Sequence, residues 1–139
     1  RIVQGSGDNN SLGVIKFNFD NPYAVYLHDT NQRYLFKNAA RALSHGFVRV
    51  QEWEKLAYYI ELNDSTLSKN KYSLKYTADS IRNWISHKER HMVEVKIPIP
   101  LFIRYFSCEG KSGVIKFYED IYGEDKQLME KYFAKKQLL

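Results

Sequence analysis

Polar and apolar positions alternate first at Ile15, Phe17 and Phe19, with Lys16 and Asn18 between them, which predicts a half-buried strand. Asp20-Asn21-Pro22 closes it as a turn, and Tyr23 to Leu27 reads as a second strand and hairpin neighbour. Gln32 to Arg41 has room for a short helix. Trp53, Leu56, Ala57 and Ile60 recur at helical spacing and predict a helix over 51–62. The polar stretch 63–73 reads as a loop. Thr77 is placed to cap a helix whose inner face is Ile81, Trp84 and Ile85. Strand periodicity returns at Val93, Val95 and Ile97, and again over Leu101 to Phe106, with Pro98 and Pro100 between the two. Glu109 to Gly113 reads as a turn before a hairpin partner at Val114 to Tyr118. Gly123 precedes a last helix with Leu128, Met129, Tyr132 and Phe133 on its apolar side and Lys131, Lys135 and Lys136 toward its end. Hairpins and helices are segregated along the chain, so the expected class is α+β.

Composition narrows this picture little. The 139 residues are 44% hydrophobic and 27% charged, which excludes disordered and fibrous classes and allows about one domain. No apolar run approaches the roughly 18 residues a membrane-spanning helix needs. The start at Arg1 instead of Met leads us to expect a processed or excised fragment. A single cysteine, Cys108, forbids an internal disulfide and a cysteine-based metal cluster, and as a strand residue it is expected to be buried or half-buried.

The net charge of +5 permits an anionic partner. Lys69, Lys71 and Lys75 cluster beside Tyr72 and Tyr76, a mixture that can stack and neutralise nucleic acid. No nucleic-acid motif accompanies them, so a solvated loop is the simpler reading and no nucleic-acid partner is expected. His87 and His91 are spaced i, i+4, but no acidic residue completes a metalloprotease pattern between them, and no metal is expected. His28 and His45, 17 residues apart, fit no compact metal spacing. A strand-end histidine is ordinarily a polar surface residue, and Ser-His-Gly resembles many turns.

Taken together, however, several runs are specific. These are Asn10-Ser11-Leu12-Gly13, Lys16-Phe17, Asn21-Pro22-Tyr23, Tyr26-Leu27-His28-Asp29-Thr30, and Ser44-His45-Gly46-Phe47-Val48-Arg49-Val50, with a tail from Pro98 to Gly123. In order and spacing the chain resembles the L,D-transpeptidases of the YkuD type, nearest the large periplasmic YcbB-like branch. The resemblance implies a β-rich, mixed α+β catalytic domain of which residues 1–139 are the C-terminal part. It implies further strands before Arg1, and hence an open sheet edge able to pair or dimerise. It also implies peptidoglycan stem peptides as substrate, a periplasmic or envelope location, and no cofactor. In that family a cysteine thiolate attacks the carbonyl of the third stem residue and expels D-alanine; an amine of a neighbouring stem then accepts the acyl group.

Carried over by position, His28 matches the general base and the backbone carbonyl of Asp29 the group that orients it. Ser44, His45 and Gly46 match the residues before the nucleophile, whose amides could form an oxyanion hole. Arg49 matches an arginine able to hold a carboxylate or brace the loop. The nucleophile position is Phe47, and a phenyl ring cannot attack a carbonyl. Three readings follow: a stem- or partner-binding domain that has lost acyl transfer, an active enzyme whose Phe47 is an engineered or erroneous substitution, and, weakest, a basic nucleic-acid-binding module.

Overall fold

The computed structural model of the chain describes residues 4–5, 9–44, 46–68 and 76–133. They form two compact units, residues 1–99 and 100–139.

The first unit is built on a three-stranded sheet of β1 (Lys16–Phe17), β2 (Leu27–His28) and β3 (Val48–Arg49), with β2 in the centre. β1 pairs antiparallel with β2, and β3 pairs parallel on its other side. The predicted alternation is visible in burial: Ile15, Phe17 and Phe19 are half-buried while Lys16, Asn18 and Asp20 are exposed. The second predicted strand is shorter than its composition suggests. Asn21 turns its side chain inward on the loop, donating to the carbonyls of Phe19 (3.0 Å) and Val25 (2.8 Å) and accepting from the amides of Tyr23 (3.1 Å) and Val25 (2.9 Å). Ala24 takes a positive φ of 54° inside this turn. Those backbone groups are satisfied locally, so the ladder starts only at Leu27.

A 3-10 helix over Arg33–Lys37 realises the short helix expected in that region. α1 (Trp53–Leu67) buries Ala57 and half-buries Trp53, Leu56 and Ile60, as the periodicity predicts. It runs past the predicted end through Asn63, Asp64, Ser65 and Thr66, none a strong helix former. The reason is tertiary. Asp64 is fully buried and accepts from the Tyr76 hydroxyl (2.8 Å) and from the amides of Lys96 (2.9 Å) and Ile97 (2.7 Å). Asn63 adds a bond to the Ile97 carbonyl at 3.2 Å. Val93 to Ile97 is not a strand, and at its end the amides of Lys96 and Ile97 go to this carboxylate instead of a neighbouring strand. Three donors hold the Asp64 carboxyl below its ordinary range despite its burial, which alone would raise it.

α2 (Ala78–Ser86) starts at the predicted cap. Thr77 Oγ1 accepts from the Ser80 amide at 3.2 Å and Ser80 Oγ returns a bond to the Thr77 amide at 3.3 Å. Ile81, Trp84 and Ile85 are half-buried along its inner side.

In the second unit β4 (Cys108–Lys111) and β5 (Val114–Phe117) form an antiparallel hairpin. The turn is only Ser112-Gly113, both with positive φ (51° and 81°), as a two-residue type I′ connection requires. Cys108 pairs with Phe117 on this hairpin and is exposed, not buried: every residue of both strands is open to solvent. Leu101 to Phe106 forms no strand. α3 (Glu124–Tyr132) follows Gly123, and Asp120 accepts from the Lys126 amide and the Tyr105 hydroxyl, both at 3.1 Å. Lys131 closes the helix as expected, while Lys135 and Lys136 lie outside the described residues. Among the described residues no helix is long and apolar enough to cross a membrane.

Candidate active site on the central strand

Register partners in a sheet share a face, and side chains two apart on one strand do so too. His28 of β2 is opposite Lys16 of β1 and Arg49 of β3. Three basic side chains therefore form one row across the sheet. The next row on that face holds Tyr26 and Phe47, whose rings stack at 4.4 Å with an interplanar angle of 29°. The Lys16 ammonium lies 3.7 Å from the centre of the Tyr26 ring. The Phe47 ring meets His28 edge-on, 6.3 Å between centres. The opposite face carries Phe17, Leu27 and Val48, all apolar.

Among the described residues His28, Asp29 and Thr30 are the most deeply buried run, at 3%, 0% and 1% exposure. The carbonyl of Asp29 contacts His28 Nδ1. A carbonyl only accepts, so Nδ1 carries the proton and Nε2 of the neutral ring keeps its lone pair. Burial pulls the His28 pKa below 6.5, and the Arg49 charge pulls the same way. The carbonyls of Asp29 and Leu12 and the Asp29 charge oppose them with less effect.

The sign is then fixed. The unfolded chain holds the His28 proton to higher pH than the folded one, so folding stability rises with pH from the lowered value up to about 6.5. Asp64 and Asp120, both held below the ordinary 3.8, act only in more acidic solution. The melting temperature is expected to be lower at pH 5.5 than at pH 7.5, and a His28→Gln variant should flatten that difference in a thermal denaturation series.

The family profile for the YkuD L,D-transpeptidase catalytic domain matches residues 2–82. The chain belongs to this family. It is also 34% identical over 128 residues to a Haemophilus influenzae protein named "Putative L,D-transpeptidase", covering 92% of this chain. The chain spans 24% of the length of that relative.

In this YkuD domain the residues singled out by sequence lie as follows. Ser44 Oγ donates to the Phe47 carbonyl at 2.5 Å and so closes the short segment before β3. Gly46 has φ +123°, a conformation that side chains resist, and a Cβ there would meet nothing within 4 Å, so backbone conformation and not crowding accounts for glycine. His45 lies outside the described residues. Phe47 is 40% exposed. Arg49 is half-buried, and its Nε is buried with no hydrogen bond among the described residues.

His87 and His91 make local contacts around the end of α2. His87 follows α2 and contacts the Asn83 carbonyl through Nδ1 at 2.8 Å. His91 stacks on Trp84 at 4.1 Å and contacts Glu89 at 2.8 Å. Among the described residues no group of His, Cys, Asp or Glu is arranged to hold a metal ion. Lys69, Lys71, Tyr72 and Lys75 lie outside the described residues. Tyr76 is 6% exposed, with burial and Asp64 raising its pKa, so its ring is no stacking platform.

Sequence reasoning assigned no role to three contributors: Gly13, Lys16 and Arg33. Arg33 follows Asp29 by four residues, a spacing at which such pairs often meet. Lys16 becomes a site residue only through strand register.

Proposed function

We propose that residues 1–139 are the C-terminal part of an L,D-transpeptidase catalytic domain that, as this sequence stands, binds peptidoglycan stem peptides in the cell envelope without forming an acyl-enzyme. The single observation carrying this reading is Phe47, stacked on Tyr26 and edge-on to His28 where the family places its thiol. An imidazole with a free Nε2 has no S–H to deprotonate there. The row Lys16, His28 and Arg49 suits an anionic ligand such as a stem-peptide carboxylate.

Incubation with a carbapenem, which acylates the family's cysteine, is expected to leave the intact mass of the protein unchanged. A stoichiometric adduct overturns the reading. A soluble stem tetrapeptide should shift the amide resonances of Val48 to Val50 without releasing D-alanine.

A second reading is favoured by one observation. The His28 Nδ1 contact with the Asp29 carbonyl keeps Nε2 deprotonated, which an acyl-transfer base needs and a simple binding surface does not. On that reading Phe47 occupies the place of a functional cysteine, and a Phe47→Cys variant of the longer protein should release D-alanine from a tetrapeptide.

A further inference from the structure

Behind His28, away from the sheet row, lies a second polar assembly. The Asp29 side chain is fully buried, yet its carboxylate is saturated with donors. Its Oδ1 accepts from Arg33 Nε at 3.0 Å, and its Oδ2 accepts from the Val14 amide at 3.0 Å and from an Arg33 terminal nitrogen. The Asp29 amide donates to the Ile15 carbonyl at 3.0 Å. Gly13 presses against the same carboxylate: a Cβ at that position would sit 2.2 Å from Oδ2 and 2.7 Å from the Thr30 amide nitrogen. The Arg33 guanidinium, half exposed, lies over the Trp53 ring at 5.8 Å. Two segments therefore converge on one carboxylate, the turn at 13–14 and the 3-10 helix, and the start of α1 lies beside the Arg33 that holds it.

The carbonyl that contacts His28 Nδ1 belongs to this same residue. It can hold a fixed direction only if the peptide between Asp29 and Thr30 is fixed. On one side that residue is held by the hydrogen bond its N–H donates to the Ile15 carbonyl. On the other, its side chain is forked by Arg33. A bidentate guanidinium–carboxylate pair fixes orientation as well as distance, which a single hydrogen bond does not.

We propose that the Asp29 carboxylate and Arg33 are positioning residues for His28: their buried fork fixes the Asp29 carbonyl and thereby holds the imidazole in its Nδ1–H tautomer, with the Nε2 lone pair left for ligand or nucleophile. The role belongs to the side chains and is separate from the backbone contact itself. It rests on the reading of His28 as the site's imidazole. Because the readout is the ring's own tautomer, it can fail while ligand binding stands, and stand while ligand binding fails.

The test is the long-range proton–nitrogen NMR spectrum of His28 above its titration range. The unaltered protein should show Nε2 at the frequency of an unprotonated ring nitrogen. In Arg33→Ala and in Asp29→Asn the ratio of Nδ1–H to Nε2–H forms should fall about fivefold or more, the scale of one lost hydrogen bond. Arg33→Lys, which keeps a cation for Asp29, should recover part of it. Asp64→Asn, which weakens the bonds from α1 to Tyr76, Lys96 and Ile97, should leave the ratio unchanged. An unchanged ratio in folded Arg33→Ala overturns the proposal, as does an equal change in Asp64→Asn. If Asp29→Asn does not fold, Arg33→Ala decides alone, since Arg33 is half exposed.

Discussion

Replacing Gly13 with alanine is expected to destabilise the first unit by about 3 kcal/mol or more, through a left-handed backbone and an overpacked site together. Gly13 has φ +63°, where a side chain is disfavoured. More decisive is the space: the added carbon would lie 2.2 Å from Asp29 Oδ2 and 2.5 Å from its Cγ, far inside contact distance. Asp29 has no free direction to yield, being held by Val14 and Arg33. Urea unfolding should show the midpoint falling with an unchanged slope, and the His28 ring resonances should broaden or move in the protein that remains folded. A Gly46→Ala variant reads backbone strain alone, since at its φ of +123° a Cβ meets nothing within 4 Å, and it should leave the His28 ring resonances where they are.

Removing the Asp64 carboxylate should have an effect of similar size by a different route. Asp64→Ala leaves the Tyr76 hydroxyl and the amides of Lys96 and Ile97 without their acceptor, and deleting a buried acceptor strands its donors, at about 1–3 kcal/mol for each that water cannot reach. Water will reach some of them, so a loss of about 3 kcal/mol is expected. Hydrogen exchange gives the local signature: the amides of residues 96 and 97 should lose protection well before those of β2 and β3. Asp64 also sits near the C-terminal end of α1, where a negative charge opposes the helix dipole. That disfavour is outweighed by three donors, so Asp64→Asn, which removes the charge but keeps one acceptor oxygen, should lose less than Asp64→Ala.

The two variants also mark what was legible in the sequence. Periodicity placed α1, α2 and α3, and Thr77 announced the start of α2, because those signals are local. The hairpin β4–β5 was readable for the same reason. Asp64 was not: an aspartate among Asn63, Ser65 and Thr66 looks like loop chemistry until donors 32 and 33 residues away are brought to it. Asn21 misled in the opposite direction, since a strand-like run at Tyr23 to Leu27 yields to one side chain that satisfies the backbone first. At the site, the motif residues drew attention to His28 and Arg49, yet the row they share with Lys16 depends on register, which no single segment encodes. The Asp29–Arg33 spacing was visible but carried no sign of burial, and Phe47 was legible as a departure while its stack on Tyr26 was not.

The sheet that carries the site is only two residues deep in each strand, and its connection from β2 to β3 ends within one residue of Phe47. In so short a ladder, face and identity are set by counting. One residue gained between Gly46 and Val48 would present Val48 beside His28, one lost would present Val50 there, and either would turn Arg49 to the apolar side. The loop from 18 to 25, closed on itself by Asn21, is under no such parity rule. The spacing from Gly46 into β3 is therefore fixed by register against the central strand, as the loop from 18 to 25 is not.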